Sequence, residues 1–188
     1  MTITTGALVA LPEEKSYLLG LLAFVCFVTL FEGYDLLIIN LALPYLGQDF
    51  GVGAKTLGGA VGLINIGTIV AFIPVRFADR FGRRPVFLGA VIGYTVFTLL
   101  SAFSVGLHDF VAYQFCARMF MVTEIGVGAI ILTEEMPARY RGAAITLMFA
   151  LSLSGGIVGS TLFPHLIDTL FGWRTLYIVG GSVLPILL

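Results

Sequence analysis

Residues 73–90 read IPVRFADRFGRRPVFLGA, a short charged turn set between two apolar runs. One aspartate and four arginines fall within positions 76–84. Elsewhere charge is scarce: 11% of the 188 residues are charged and 59% are hydrophobic, whereas soluble domains carry about 25% charged residues. The composition therefore predicts a protein whose surface is solvated by lipid. The charged turn marks a place where the chain leaves the membrane.

Apolar runs continue on both sides of this turn, at about 17–45, 57–75, 85–104, 110–132, 143–167 and 174–188. A membrane-spanning helix needs about 20 mostly apolar residues, which five of the six runs reach or approach. The sixth run is shorter. We therefore predict an all-α membrane protein with six transmembrane helices over residues 17–188, preceded by a cytoplasmic lead-in over residues 1–16.

The basic residues between the runs predict the orientation. With the N-terminus inside, the cytoplasmic segments hold seven lysines and arginines, and the external segments hold only Lys55 and Arg174. Cytoplasmic loops of membrane proteins carry an excess of such residues, so both termini are predicted to be cytoplasmic. Arg118, the tenth basic residue, lies inside the fourth run.

Several classes of function are disfavoured by what the sequence lacks. The net charge of −1, with no basic block, offers nothing to attract nucleic acid. We find no paired nucleophile and base, no phosphate loop and no cofactor motif, so we expect neither an enzyme nor a bound cofactor. Cys26 and Cys116 sit in apolar runs, which is typical of packing residues and not of metal ligands.

A weak internal repeat appears when the sequence is shifted by 90 residues. Proline, six residues, then Phe-Gly-x-Arg occurs at 74–84 and again at 164–174. Three spans separate the two copies, so the second would be inverted relative to the first. Inverted three-helix repeats, here approximately 17–104 and 110–188, are the arrangement described for halves of major facilitator transporters.

The turn ADRFGRRP at 78–85 resembles the major facilitator signature G-x-x-x-D-R-x-G-R-R, with Val75 in place of the first glycine. EEMPARYRG at 134–142 and FGWR at 171–174 resemble further segments of that family. The resemblance implies a secondary transporter in a bacterial inner (plasma) membrane. It also implies a cytoplasmic gating motif made of Asp79, Arg80, Gly82, Arg83, Arg84, Glu134 and Arg141. Within this motif we expect Arg141 to pair with Glu134 or Asp79.

Within that family, EGYD at 32–35 is similar to the D-G-x-D segment of the aromatic acid:proton symporters. Four ionisable residues lie well inside the runs: Glu32, Asp35, Arg118 and Glu124. Each costs about 2.5–3.5 kcal/mol to place in a membrane, so we interpret them as a substrate and proton pathway. Counting residues from the span ends predicts two levels, one with Asp35 and Arg118 and one with the two glutamates.

The predicted activity is proton-coupled transport of a small organic anion, with Asp35 as the proton site and Arg118 as the anion site. A purely structural Asp35–Arg118 ion pair is the alternative for those two residues. Gly155, Gly156 and Gly159 are expected to let a neighbouring helix pack closely. For the whole chain, a non-transporting fragment that associates with a full transporter and a uniporter or exporter of an uncharged solute remain alternatives.

A homodimer of half-transporters is expected, because the four charges of a lone half would face hydrocarbon, at a cost on the order of 10 kcal/mol. In that dimer the second helix of one copy would meet the fifth of the other. Asp79 would then lie near Gly142 of the partner copy, with Val75 and the three glycines along the seam. The expected partners are a small-molecule substrate, protons, lipid and a second copy.

Overall fold

The computed structural model describes residues 12–182, and every regular element in that part of the chain is an α-helix. The helices, in chain order, are α1 (Pro12–Asp49), α2 (Ala54–Val70), α3 (Phe72–Phe81), α4 (Arg83–Ala102), α5 (Leu107–Glu135), α6 (Arg141–Ile167) and α7 (Trp173–Gly181). The helix α1 begins at Pro12, so the end of the predicted lead-in is already helical. Its earlier residues lie outside the described part.

Five segments are long and apolar enough to cross a membrane. They are α1, the α2–α3 pair taken together, α4, α5 and α6, and they correspond to the first five predicted spans. The second span is interrupted at Ala71, which separates α2 from α3 although its own backbone is helical. Of the predicted sixth span at 174–188, α7 covers the first eight residues, 174–181, and the span's end lies outside the described residues. The protein is an integral membrane protein.

Close packing of α6 on α1 organises the bundle, and glycines make it possible. A Cβ atom on Gly155 would lie 1.7 Å from the carbonyl oxygen of Leu30, and one on Gly33 would lie 1.6 Å from that of Ser152. No side chain fits at either position, so the two backbones are in direct contact. Gly159 faces the ring of Tyr34 in the same contact.

This packing corrects the predicted position of the glycines. Gly155 and Gly159 are buried against α1 of the same chain, and Gly156 faces Gly33 and Leu37 of that helix. They are therefore not available to line a seam between two copies. Val75 likewise lies near Gly126 of the chain's own α5, 3.7 Å from where a Cβ on that glycine would be.

Two large apolar clusters fill the two ends of the bundle, and a third, smaller one lies beside the polar groups between them. One cluster gathers Val25, Phe87, Val127 and Met148 from four helices. The other is rich in aromatic residues and includes Phe110, Trp173 and Tyr177, whose rings meet edge to face. The intramembrane charges lie between these clusters along α1 and α5.

Candidate functional site

The four intramembrane charges are enclosed by the helices of this one chain. The exposed fractions are 2% for Glu32, 3% for Asp35, 0% for Glu124 and 9% for Arg118. The expectation that a lone half would leave them facing hydrocarbon is therefore wrong, and so is the energetic argument for a second copy that rested on it. α5, α6 and α7 pack on α1, and α4 reaches α1 through side-chain hydrogen bonds; together these helices supply an enclosure that the sequence did not reveal.

Asp35 lies between α4 and α7. The hydroxyl of Thr98 donates a hydrogen bond to Asp35 Oδ2 at 3.2 Å, whereas Oδ1 has no hydrogen-bond partner among the described residues. Gly180 of α7 comes close to that second oxygen: a Cβ atom there would be 3.4 Å from Oδ1. One carboxylate oxygen is thus held by the protein and the other faces α7 without a protein ligand.

Arg118 has no carboxylate within ion-pair distance in the described part of the chain. Its Nη1 atom lies 3.9 Å from the sulfur of Met121, a weak acceptor one helical turn away. The purely structural Asp35–Arg118 ion pair that we held as an alternative is therefore not present. The guanidinium still lies within electrostatic range of Asp35 and Glu32. It therefore provides positive charge near both carboxyl groups without donating a hydrogen bond to either.

The two glutamates belong to the same buried site. Glu124 Oε1 and Oε2 and Glu32 Oε2 all lack a hydrogen-bond partner among the described residues. Glu32 lies within electrostatic range of Glu124. Tyr94 of α4 is buried near both of them and near Asp35, and its hydroxyl donates to the carbonyl oxygen of Phe31 at 3.2 Å. The acids thus form one buried cluster whose carboxyl groups have few protein ligands.

Sequence reasoning missed the polar residues that other helices contribute to this cluster. Tyr94, Thr98 and Ser101 of α4 are all fully buried and recur at helical spacing within an otherwise apolar run. Gln114 of α5 donates to Ser101 Oγ at 2.9 Å. That spacing was the signal in the sequence: a polar stripe on one face of an apolar helix points toward other polar groups and away from lipid.

The predicted gating turn is built around Gly82, whose φ of +91° belongs to the region that only glycine adopts readily. It separates α3 from α4 and sets Arg83 at the start of α4, where its guanidinium pairs with Glu134 and lies 3.9 Å from Asp79. Arg80 lies over the ring of Phe81, 5.5 Å from its centre. The turn thus joins the end of α3 to the end of α5.

Arg141 does not take the predicted role. Its Nε atom donates to the carbonyl oxygen of Met136 at 2.9 Å, and it pairs with neither Glu134 nor Asp79. Arg83 occupies Glu134 instead. The reason is geometric, because Arg141 begins α6 after a short turn and its side chain satisfies a carbonyl group at the end of α5.

A second set of contacts at this end of the bundle was not predicted. Arg84 pairs with Glu135 at 2.8 Å and lies over the ring of Tyr17, 5.4 Å from its centre. The Tyr17 hydroxyl hydrogen-bonds to both Arg84 and Glu135. This cluster ties α1, α4 and α5 together.

A family model described as Major Facilitator Superfamily matches residues 25–188, most of the chain, including the bundle and the gating turn described above. The chain belongs to the major facilitator superfamily. Its fold is accordingly a membrane-spanning helical half of that family, and the relatives named below are transporters and not enzymes.

Three characterised relatives show which branch of the superfamily the chain resembles. The 4-hydroxybenzoate transporter PcaK of Acinetobacter baylyi is 34% identical over 173 residues, covering 86% of this chain and 35% of that protein. The 3-(3-hydroxy-phenyl)propionate transporter of Escherichia coli is 31% identical, covering 94% of this chain and 44% of that protein. The gallate transporter of Pseudomonas putida is 29% identical, covering 89% of this chain and 38% of that protein. The similarity to aromatic acid transporters is confirmed, and this chain spans less than half the length of these relatives.

Proposed function

We propose that this chain forms half of a secondary transporter that couples protons to the movement of a small organic anion, an aromatic carboxylate, by alternating access. The observation that carries the proposal is the buried cluster of one arginine and three carboxyl groups. Placing such groups in a membrane is costly, and they mark substrate or proton pathways when they occur. The aromatic acids in the names of the relatives supply the substrate class.

Arg118 is the proposed anion site. Within the described residues, its guanidinium forms no ion pair with a carboxylate, and its one side-chain hydrogen bond is the long one to Met121. A planar guanidinium binds a carboxylate through two parallel hydrogen bonds, which an ammonium group cannot reproduce. A substrate carboxylate arriving here would find a charged and largely unoccupied donor group.

Asp35 is the proposed proton site. Its carboxyl group is 3% exposed and receives one hydrogen bond, from Thr98. A buried carboxylate with so few partners is costly to keep ionised. The nearby charge of Arg118 offsets part of that cost only while no substrate anion shares it. Substrate binding at Arg118 and proton binding at Asp35 would therefore favour each other, which is what symport requires.

The chain is proposed to consist of two inverted three-helix repeats. Gly82 and Gly172, 90 residues apart, both have positive φ, and each precedes a helix. The arginine two residues after each glycine pairs with a carboxylate at the end of another helix: Arg84 with Glu135, and Arg174 with Asp49. Arg174 also donates to the carbonyl oxygen of Ser104, which follows the C-terminal end of α4, whereas Arg84 lies at the N-terminal end of the same helix. Equivalent contacts at opposite ends of one helix support an inverted repeat.

A second half is proposed to cover the exposed helices, with another copy of this chain as the first candidate. The α2–α3 segment and α6 are the least buried spans. In the most apolar 18-residue stretch of each, 28% and 22% of the residues are buried, against 56% in α1. The Asp79 side chain is 75% exposed, and nothing lies within 4 Å of a Cβ placed on Gly142. The homodimer proposal rests on these free faces, and both termini would be cytoplasmic in the bacterial inner membrane.

A non-transporting fragment that associates with a full transporter is the second candidate, and the chain spans 35–44% of the length of these relatives. Uptake of radiolabelled 4-hydroxybenzoate by liposomes holding the 188-residue chain distinguishes the two. A transporter should accumulate the label when the outside is acidified. Asp35→Asn should abolish that accumulation while leaving the fold intact. No uptake by the correctly folded chain, or full proton-driven uptake by the Asn variant, would overturn the proposal.

A further inference from the structure

Two buried polar atoms near the proposed proton site share an unusual property. Asp35 Oδ1 and the hydroxyl oxygen of Tyr177 have no hydrogen-bond partner among the described residues, and their side chains are 3% and 0% exposed. Buried polar groups without partners are rare because their desolvation is not compensated. The other buried tyrosines differ: Tyr34 donates to the carbonyl oxygen of Leu176 at 3.0 Å, and Tyr94 donates to Phe31.

The fold places these two atoms on the same side of α7. Gly180 follows Tyr177 by three residues, so both lie on one face of that helix. A Cβ on Gly180 would be 3.4 Å from Asp35 Oδ1, which shows that this oxygen points toward that face of α7. Asp35 also lies within electrostatic range of the Tyr177 phenol. Both atoms thus lie on the side of α7 that faces Asp35, and no direct hydrogen bond joins them.

Among residues 12–182, no protein group donates a hydrogen bond to Asp35 Oδ1. The titratable and charged groups that face this cluster are Glu32 and Tyr34 from α1, Tyr94 from α4, Arg118 and Glu124 from α5, and Tyr177 from α7. Among the described residues, the one buried hydroxyl group without a hydrogen-bond partner is that of Tyr177 on α7.

We propose that Tyr177 is a positioning residue for proton transfer, holding one water molecule between its hydroxyl group and Asp35 Oδ1. One bridging water would satisfy both atoms, as buried waters commonly do for groups that lack protein partners. This inference rests on the proposed proton-coupled function, and it adds a route by which Asp35 exchanges its proton.

The proton step conserves every atom and involves no redox change. A proton reaches the bridging water, which becomes hydronium while it remains hydrogen-bonded to the Tyr177 oxygen. One O–H bond of the hydronium breaks as a bond to Asp35 Oδ1 forms, leaving neutral water and a carboxylic acid. Tyr177 keeps its own proton throughout, because it only orients the water. Release follows the same steps in reverse.

Tyr177→Phe tests this role with little structural cost, because it removes a hydroxyl group that has no protein partner. Infrared spectra of the purified chain in lipid nanodiscs would follow the carboxylic acid band that disappears in Asp35→Asn. In Tyr177→Phe we expect this band to move to higher frequency, since the acid group loses its hydrogen bond to the water at Oδ1 and keeps only the one from Thr98 at Oδ2. Its response to a switch from H₂O to D₂O should slow by about tenfold, the equivalent of one lost hydrogen bond.

Tyr34→Phe is the matched control, because it removes a buried hydroxyl group that bonds to Leu176 and not to Asp35. Its Asp35 band should keep the frequency and exchange rate of the unmodified chain. An unchanged band and exchange rate in Tyr177→Phe would overturn the inference. It would leave the proposed function standing if Asp35→Asn still abolished proton-driven uptake. If the unmodified chain shows no Asp35 acid band at any pH, the proton site itself is wrong and both proposals fail.

Discussion

Arg174 lies over the ring of Trp173, with its guanidinium carbon 4.4 Å from the ring centre, and both side chains donate to the same oxygen of Asp49. The bond lengths are 2.7 Å from Arg174 and 3.0 Å from Trp173. One carboxylate at the end of α1 is thereby joined to the first two residues of α7. Because α1 carries Asp35 and α7 carries Tyr177, this contact fixes one end of the helix pair that encloses the proposed proton site.

Asp49→Asn should destabilise the folded chain by about 1 kcal/mol. The value is small because the Arg174 and Asp49 side chains are 32% and 42% exposed, so solvent screens their attraction. Thermal unfolding in detergent would measure the loss of stability. Added salt should reduce the difference in stability between Asp49→Asn and the unmodified chain. Asp168→Asn is the control, an exposed aspartate near the same end that forms no ion pair with another described residue. Equal stability of the two variants would contradict the structural role of Asp49.

Gly155→Ala should disrupt the packing of α6 on α1. The added carbon would lie 1.7 Å from the Leu30 carbonyl oxygen, and a backbone atom in a helix cannot move aside as a side chain can. Adding atoms to a tightly packed site typically lowers the free energy of unfolding by about 1–3 kcal/mol, and we expect the loss in Gly155→Ala to lie at or above the upper end of that range. Unfolding in denaturant would measure it. Gly142→Ala, where nothing lies within 4 Å, should cost nothing, and a Gly155→Ala variant as stable as that control would show that the helices are farther apart.

Arg118→Lys should weaken substrate binding although the charge is kept. A lysine ammonium group acts as a point charge and cannot make the two parallel hydrogen bonds of a guanidinium group. We expect about a tenfold or greater loss in affinity for 4-hydroxybenzoate, measured by calorimetry. Benzamide, which lacks the carboxylate, is the control ligand and should bind weakly to both forms. Equal binding of 4-hydroxybenzoate by both forms would mean that Arg118 has a structural role only.

Glu135→Gln should loosen the start of α4 from α1 and α5, because Glu135 accepts hydrogen bonds from both Arg84 and Tyr17. Amide hydrogen exchange at residues 87–90, whose N–H groups bond to the carbonyl groups of the first turn of α4, would report the change, and we expect faster exchange than in the unmodified chain. Arg76→Gln is the control, since Arg76 is exposed and forms no ion pair in the described part of the chain. Unchanged exchange in Glu135→Gln would contradict the role assigned to this cluster.

Cysteines placed at Asp79 and Gly142 should cross-link between two copies in native membranes if the homodimer is correct. Both positions are open in the single chain, so the substitutions should not disturb its packing. Two chains, each carrying one of the cysteines and a different tag, would show whether the link is between copies. The same two cysteines in one chain provide the intramolecular control. A chain that stays monomeric, or links only within itself, would exclude the homodimer.

The sequence alone determined the features that depend on local composition and spacing. Long apolar runs had to become membrane helices, because backbone groups inside a bilayer must be hydrogen-bonded within the segment. Gly82 between two such runs predicted the turn that the structure shows with positive φ. The family could be identified from the same turn, since the D-R-x-G-R-R spacing was visible without any knowledge of packing.

Only the tertiary structure decided which side chains meet. Sequence spacing could not show that Arg83 and not Arg141 takes Glu134, or that Gly155 packs on the chain's own α1. It also could not show that Glu124 becomes fully buried within a single half. These contacts depend on how each helix is rotated about its axis and on which neighbour it packs against. Those choices are set by the fit of whole helix surfaces far apart in the chain, and no local pattern encodes them.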